Sequence, residues 1–254
     1  TTKEIAEKLN ENKWYRKADG SLITPYQIYG RAKGYPELFY CEGSTISLKG
    51  STTRKIAFER TSKQHVRISQ NTVKDSVLVE KMLMNKQNFK SAKDVDGFVP
   101  QASGLYCIRI KNVHLLPEPF GTILLERGHD ILYIGIASEN LYNRFLNQEL
   151  RAKGHGTFFR SMGAVLGYKP PKGSLIEKRN KKNYKFSKTD ELKIIGWINE
   201  NLMVNWVESA GDLDSLETSL IVKYLPLLNL SKNPAALQIL SYLRKECVEI
   251  ANRN

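Results

Sequence analysis

Two short runs in the middle of the chain show the alternation of a β-strand: Ser103-Gly104-Leu105-Tyr106, continuing through Ile108 and Ile110, and Ile131-Leu132-Tyr133-Ile134-Gly135. Alternation places Tyr106, Ile108 and Ile110 on one face of the first run, and Ile131, Tyr133 and Gly135 on one face of the second. Paired antiparallel, the runs would set both phenols side by side on one sheet face. Tyrosine is also a favoured strand residue, so either ring alone reads as a half-buried packing position. Residues 202–207 predict a third strand. Elsewhere the apolar spacing turns helical. A helix over 140–152 buries Leu141, Phe145 and Leu150 and carries Arg144 on its flank with Asn140, Asn147, Gln148 and Arg151. Around Glu217, an apolar stripe of Leu213, Leu216, Leu220, Ile221 and Tyr224 takes the carboxylate onto the apolar side.

The first fifty residues have clear punctuation. Thr1 and Glu4 stand at capping-box spacing ahead of Ile5, Ala6 and Leu9, and a polar loop follows at 16–21. Thr24-Pro25 opens a second helix that Gly34 can close, with Tyr26, Ile28 and Tyr29 inward and Gln27, Gly30, Arg31 and Lys33 outward. Runs 38–42 and 45–48 flank Gly43-Ser44 as a hairpin. Helix, loop, helix and hairpin in this order resemble the later part of a winged helix, which makes 24–33 the recognition helix and Gln27, Arg31 and Lys33 DNA contacts. A small protein-binding or structural cap has the same order. A winged helix usually has another helix upstream, and a chain that opens at a cap without an initiator methionine suggests one is missing. Residues 51–97 read as a connector with one helical pattern, Val77, Leu78, Lys81, Met82 and Met84, whose methionines fill core. Its basic residues Arg54, Lys55, Arg60, Lys63 and Arg67 either track phosphates or are simply solvated.

Composition narrows the partners. The 254 residues, 41% of them apolar, suffice for one large domain or two smaller ones of ~100 to 150 residues. No apolar run approaches the ~20 residues of a membrane helix, and the N-terminus lacks a signal-peptide core. Three widely separated cysteines argue for a reducing, cytoplasmic setting without structural zinc. An excess of 39 basic over 26 acidic residues, a net charge of +13, is the balance of a polyanion binder. Nucleic acid is favoured over a membrane surface because no long basic amphipathic helix is evident. Residues 169–193 hold nine Lys and Arg against three acidic residues, with Tyr184 and Phe186 among them. There Lys178, Arg179, Lys181 and Lys182 would follow DNA backbone while the aromatics stack on a base, or the loop is merely exposed.

Five features in order resemble the GIY-YIG nuclease family over about residues 98–230. Gly104-Leu105-Tyr106 stands at the first triplet, Tyr133-Ile134-Gly135 at the second, and Arg144 in an arginine helix; Leu216-Glu217-Thr218 and Leu227-Leu228-Asn229 complete the set. The stretch 157–167 also resembles a segment of a bacterial subgroup, and Arg160 within it joins the DNA-binding set. The resemblance implies an α+β fold, a small antiparallel sheet flanked by helices at 98–254, behind the connector (51–97) and the winged-helix-like module (1–50). It implies a DNA endonuclease, of restriction type, acting on double-stranded DNA and compatible with a homodimer. A structure-specific repair or mobile-element nuclease, or a regulator with an inactive domain, are the alternatives. Tyr106 would deprotonate or position water, Arg144 and Tyr133 would orient the phosphate, Glu217 would hold Mg2+ or Mn2+, and Asn229 would orient Glu217 or a phosphate.

Two departures bear on the chemistry. Many members carry a lysine after the second triplet, where this chain has Ile136, and a histidine or tyrosine one turn after the arginine, where it has Gln148. His155, in a glycine-rich loop just beyond, is either a catalytic substitute or a structural residue. Glu217 keeps two readings as well: a buried carboxylate that binds a hard cation, or the far half of a capping box begun at Asp214.

Overall fold

The computed structural model describes residues 1–11, 21–35, 38–42, 45–48 and 76–253, and the chain divides into two compact units, Thr1–Ser62 and Lys63–Asn254. The turn Gly43-Ser44, most of the 16–21 loop, and Arg54, Lys55, Arg60, Lys63 and Arg67 lie outside the described residues.

In the first unit, helices α1 (Thr2–Glu11) and α2 (Pro25–Lys33) precede an antiparallel hairpin of β1 (Phe39–Glu42) and β2 (Thr45–Leu48). Asn10 joins the helices by clasping Ile23, donating to its carbonyl at 2.9 Å and accepting its N–H at 3.0 Å. A complete capping box opens α2: the Thr24 hydroxyl accepts the Gln27 N–H, and Gln27 Oε1 accepts the Thr24 N–H at 3.1 Å. The side-chain carbonyl of Gln27, expected to face bases, is thus spent on the cap. Tyr26 points outward, 84% exposed, against the expectation that it packs. It stands two positions before the half-buried Ile28, hence on the opposite side of a 3.6-residue helix.

The second unit is an α+β structure around a four-stranded antiparallel sheet in the order β3-β6-β4-β5, with β3 at Lys90–Ser91, β4 at Gly104–Ile110, β5 at Ile131–Ala137 and β6 at Leu202–Glu208. Edge strand β3 falls in the stretch expected as a connector. One sheet face carries Tyr106, Ile108, Ile110, Leu132 and Tyr133 against a π-helix (Tyr142–Leu150), α5 (Thr157–Val165), α6 (Lys188–Asn201) and α8 (Gln238–Asn252). The other face carries Leu105, Cys107, Ile131 and Ile134 against α7 (Leu213–Tyr224) and Leu83 of α3, a helix over 76–84. The long link between β4 and β5 holds α4 (Phe120–Glu126).

Two expectations are corrected here. Ile131 does not share the face of Tyr133, because a register shift at Ile108/Arg109 inserts Leu132 as an extra residue and rotates the start of β5. In helix 76–84 the buried residue is Leu83, whereas Val77, Leu78 and Met82 are exposed.

Candidate active site

The site starts from a missing side chain. Tyr106 lies directly across the ladder from Gly135, and Ile108 across from Tyr133. A Cβ on Gly135 would sit 2.5 Å from the Tyr106 hydroxyl and 2.8 Å from the Tyr133 ring, so only glycine lets both phenols lie over β5. The rings stack with centroids 6.2 Å apart, and Phe145 stacks on Tyr106 at 4.7 Å. Tyr106 is fully buried and Tyr133 nearly so. Gly104 is constrained similarly, since a Cβ would fall 2.2 Å from the Val207 carbonyl on β6.

Beneath the Tyr106 hydroxyl lies a carboxylate that sequence reading missed. Glu149 is completely buried, and its Oε1 is 3.3 Å from the Tyr106 hydroxyl and 3.1 Å from the Arg144 guanidinium. The winding of the helix makes this pair. Residues five apart in an α-helix point about 140° away from each other, whereas the i→i+5 repeat of a π-helix brings them into line. Arg144 also donates to Gln148 Oε1 at 3.0 Å. The second Glu149 oxygen accepts the Phe159 N–H at 3.2 Å in the first turn of α5, a helix whose N-cap, Gly156, brings no side chain of its own. The carboxylate therefore caps α5 from another element.

Electrostatics follow from that burial. Desolvation pushes the Glu149 carboxyl up, opposed by Arg144 and by the Phe159 and Phe158 N–H groups. The Tyr106 phenol is raised well above its ordinary value by burial and then by the Glu149 charge; Tyr133 is raised for the same two reasons. Arg144, with 34% of its side chain exposed, is the group through which this buried cluster meets solvent.

Glu217 lies on α7, and its charge acts on Tyr106, Tyr133 and Arg144. The capping-box alternative is overturned: α7 begins at Leu213 and its N-cap is Asp212, whose carboxylate accepts the Ser215 N–H at 3.2 Å. Asp214 and Glu217 are then interior positions that both bind Lys232, with Nζ 2.5 Å from Asp214 Oδ1 and 2.8 Å from Glu217 Oε2. Burial alone would lower the Lys232 ammonium, and the two carboxylates turn its shift upward. Lys232 is a second residue that spacing did not disclose, because it lies beyond Asn229 in a left-handed loop position.

Asn229 does not face Glu217 or open space. Its Oδ1 accepts the Ile134 N–H at 3.0 Å and its Nδ2 donates to the Ile134 carbonyl at 2.8 Å, which pins the second triplet from the strand's outer edge. Beside it, the Leu227 and Leu228 N–H groups bond the Ile131 and Leu132 carbonyls.

His155 is likewise placed by packing. It is 2% exposed, sits edge-on to Phe159, and its Nε2 accepts the Phe186 N–H at 3.4 Å, which requires the neutral ring even though Glu191 is also 3.4 Å away. Burial, then Lys185 and Arg160, lowers its pKa to about 4. An imidazole that titrates near 6.5 when unfolded and near 4 when folded binds fewer protons in the folded state, so its stabilisation is complete above pH 6.5 and is lost as pH falls toward 4. The difference amounts to at most about 3 kcal/mol. His155→Phe should therefore shrink the loss of urea midpoint between pH 7 and 4.5; an identical loss in both proteins would refute this placement.

The basic loop is only partly as expected. Lys178, Arg179, Lys181 and Lys182 are exposed, with Lys181 bonded to the Leu175 and Ile176 carbonyls. Tyr184 and Phe186, however, are buried in the core under α5, worth roughly 1.5–3 kcal/mol each, and are not free to stack on bases. Arg160 is nearly buried in the same region.

As for a metal, no group of three or more His, Cys, Asp or Glu converges among the described residues. Glu217 with Asp214 one turn away still offers hard carboxylate oxygens. That fits an ion such as Mg2+, which keeps most of its waters and takes one or two carboxylates plus substrate phosphate. No helix among the described residues is long and apolar enough to cross a membrane.

A family-wide sequence model described as the GIY-YIG catalytic domain matches residues 104–246, more than half of the chain, from the first tyrosine strand through Arg144, Glu217 and Asn229 into α8. Comparison with curated proteins and with solved structures gives no match. With the two tyrosine rings stacked over the paired strands β4 and β5 and the match spanning the whole cluster, the chain belongs to the GIY-YIG family, and this unit is a nuclease-type catalytic domain.

Proposed function

We propose that the protein is a sequence-specific, type II-like restriction endonuclease that hydrolyses phosphodiester bonds of double-stranded DNA with a divalent metal ion. Its first unit, winged-helix-like in element order, would contribute recognition through Arg31 and Lys33 on α2. The observation that carries the catalytic reading is the solvent-facing Arg144 guanidinium, backed by Glu149 and both phenols and within the field of Glu217. A planar guanidinium held this way can keep Glu149 and exchange its contact with Gln148 for the oxygens of a phosphate. Tyr133 lies alongside to fix the phosphate's orientation. Burial keeps the Tyr106 phenol protonated, leaving even less phenolate than a free tyrosine has to accept a proton, so Tyr106 is assigned to holding Glu149, and through it Arg144, rather than to taking a proton from water. Asn229 holds the second triplet in place, and His155 is assigned to packing. Glu217 would hold the ion, which when bound supplies positive charge to the departing 3′ oxygen.

The test is incubation of the full chain with magnesium and a mixed-sequence plasmid, alongside Tyr106→Phe. Discrete bands are expected from the parent. Loss of one hydroxyl should slow cleavage roughly 10²-fold by loosening Arg144 while the ring keeps its packing. Random nicking would point to a structure-specific enzyme, and no cutting at all would overturn the nuclease reading.

A further inference from the structure

Two arginines beside the tyrosine cluster form no ion pair among the described residues, although the Arg244 guanidinium lies over the Tyr184 ring at 5.8 Å. Arg160, on α5, is 9% exposed; among the described residues its guanidinium donates no hydrogen bond and forms no ion pair, and its Nε is enclosed without a partner. Arg244, on α8, is half-buried; one terminal nitrogen donates to the Thr157 carbonyl at 3.1 Å and to Ser161 Oγ at 2.8 Å, and its Nε is also orphaned. Each is close enough to the active site for its charge to act there: Arg160 feels Arg244, Glu149 and Arg144, and Tyr133 feels Arg244. The carboxylate whose charge acts on Arg160, Glu149, is already committed to Arg144, Tyr106 and the N-terminus of α5.

Two like charges set together at low solvation repel each other and are each costly to bury, and packing hydrophobic residues there would be more stable. A protein that keeps them converged gains where an anion arrives between them. The family's arginine, Arg144, already accounts for the phosphate to be cut. Arg160 and Arg244 belong to different helices, α5 and α8, which pack against each other through the core. Arg244 is itself held by the first turn of α5.

We propose that Arg160 and Arg244 form a second phosphate seat beside Arg144, gripping a backbone phosphate next to the one that is cut. The inference rests on the nuclease reading and deepens it: the strand is fixed at two successive points, so the scissile phosphate is oriented as well as bound. Phosphate contacts position the backbone without reading bases.

The decisive variant is Arg160→Met, because among the described residues this side chain makes no hydrogen bond that the change could break. Binding of the full chain to a mixed-sequence duplex, without divalent ions so that nothing is cut, is measured across a salt series, and thermal midpoints are taken with and without inorganic phosphate. For Arg160→Met we expect the slope of log affinity against log salt to fall by about 0.9 and affinity to fall alike for all sequences. The thermal midpoint without phosphate should be equal or higher, and the rise that phosphate gives the parent should be lost. Arg244→Gln should lower the salt slope in the same way. An unchanged slope, or a lower thermal midpoint for Arg160→Met, overturns the seat and makes the arginine structural. A parent protein that fails to bind the duplex at all would instead sink the nuclease reading, so the two failures are distinguishable.

Discussion

Glu217→Gln is expected to cut DNA on the order of 10³-fold more slowly in magnesium than the parent while still folding and binding DNA. Glutamine keeps the shape of the side chain but cannot supply the charge that a hard cation requires, and the loss belongs to transition-state charge stabilisation rather than to affinity. The structure sharpens the expectation on stability. Asp212, not Glu217, caps α7, so the substitution removes no cap, and Lys232 retains Asp214 as a partner at 2.5 Å. Only a partly exposed ion pair is lost, and its contribution is about 1 kcal/mol at most. Calorimetric titration with Mn2+ gives a second readout, because binding should weaken in the variant even without DNA. Parent-rate cleavage by Glu217→Gln would remove this carboxylate from the mechanism.

Gly156→Ala is expected to cost more than any surface change, although the backbone there (φ −65°, ψ 177°) suits alanine. The added Cβ would lie 1.9 Å from Glu149 Oε2 and 2.1 Å from its carboxyl carbon, in a place with no solvent to retreat into. The carboxylate must leave, and Tyr106, Arg144 and the Phe159 N–H lose it together. Breaking a buried pair of this kind costs about 3–5 kcal/mol, and cleavage should fall at least about 10²-fold with it. Gly196→Ala, in α6 where nothing lies within 4 Å of the new methyl, serves as the control and should gain roughly 0.5–1 kcal/mol. If both variants melt like the parent, the packing of Glu149 against Gly156 is not what holds the site.

The parts of the site that were legible in the sequence are those with a strict short period. Strand alternation placed Tyr106 with Ile108 and Ile110, and antiparallel pairing brought Tyr133 alongside. The third strand and the helix bearing Glu217 followed from the same kind of count. What stayed hidden depended on departures from those periods. Glu149 was passed over because an α-helical turn from Arg144 ends at Gln148, and nothing in the residue types announces an i→i+5 winding. Ile131 was assigned to the wrong face because one bulged residue reverses every alternation before it. Polar and aromatic residues misled where burial decides their role. His155, Tyr184 and Phe186 have the chemistry of a site, yet they are core. Asn229 was read as facing a ligand, and it bonds a strand instead. Lys232 could be found only through its contacts, since it is brought back to Glu217 by a loop.

The clip that Leu227, Leu228 and Asn229 place along β5 also bears on assembly. A sheet can recruit another chain only through a strand with unanswered N–H and carbonyl groups. On one side of this sheet the Ile131 and Leu132 carbonyls and both backbone groups of Ile134 are already answered from within the chain, and on the other side the outermost strand, β3, is just two residues long. Extension of the sheet across two subunits along this part of β5 is thereby disfavoured. If two copies must meet to sever both strands of a duplex, they will meet through helices or through the first unit, and the cleavage centres will be spaced by that contact rather than by a shared β-ladder.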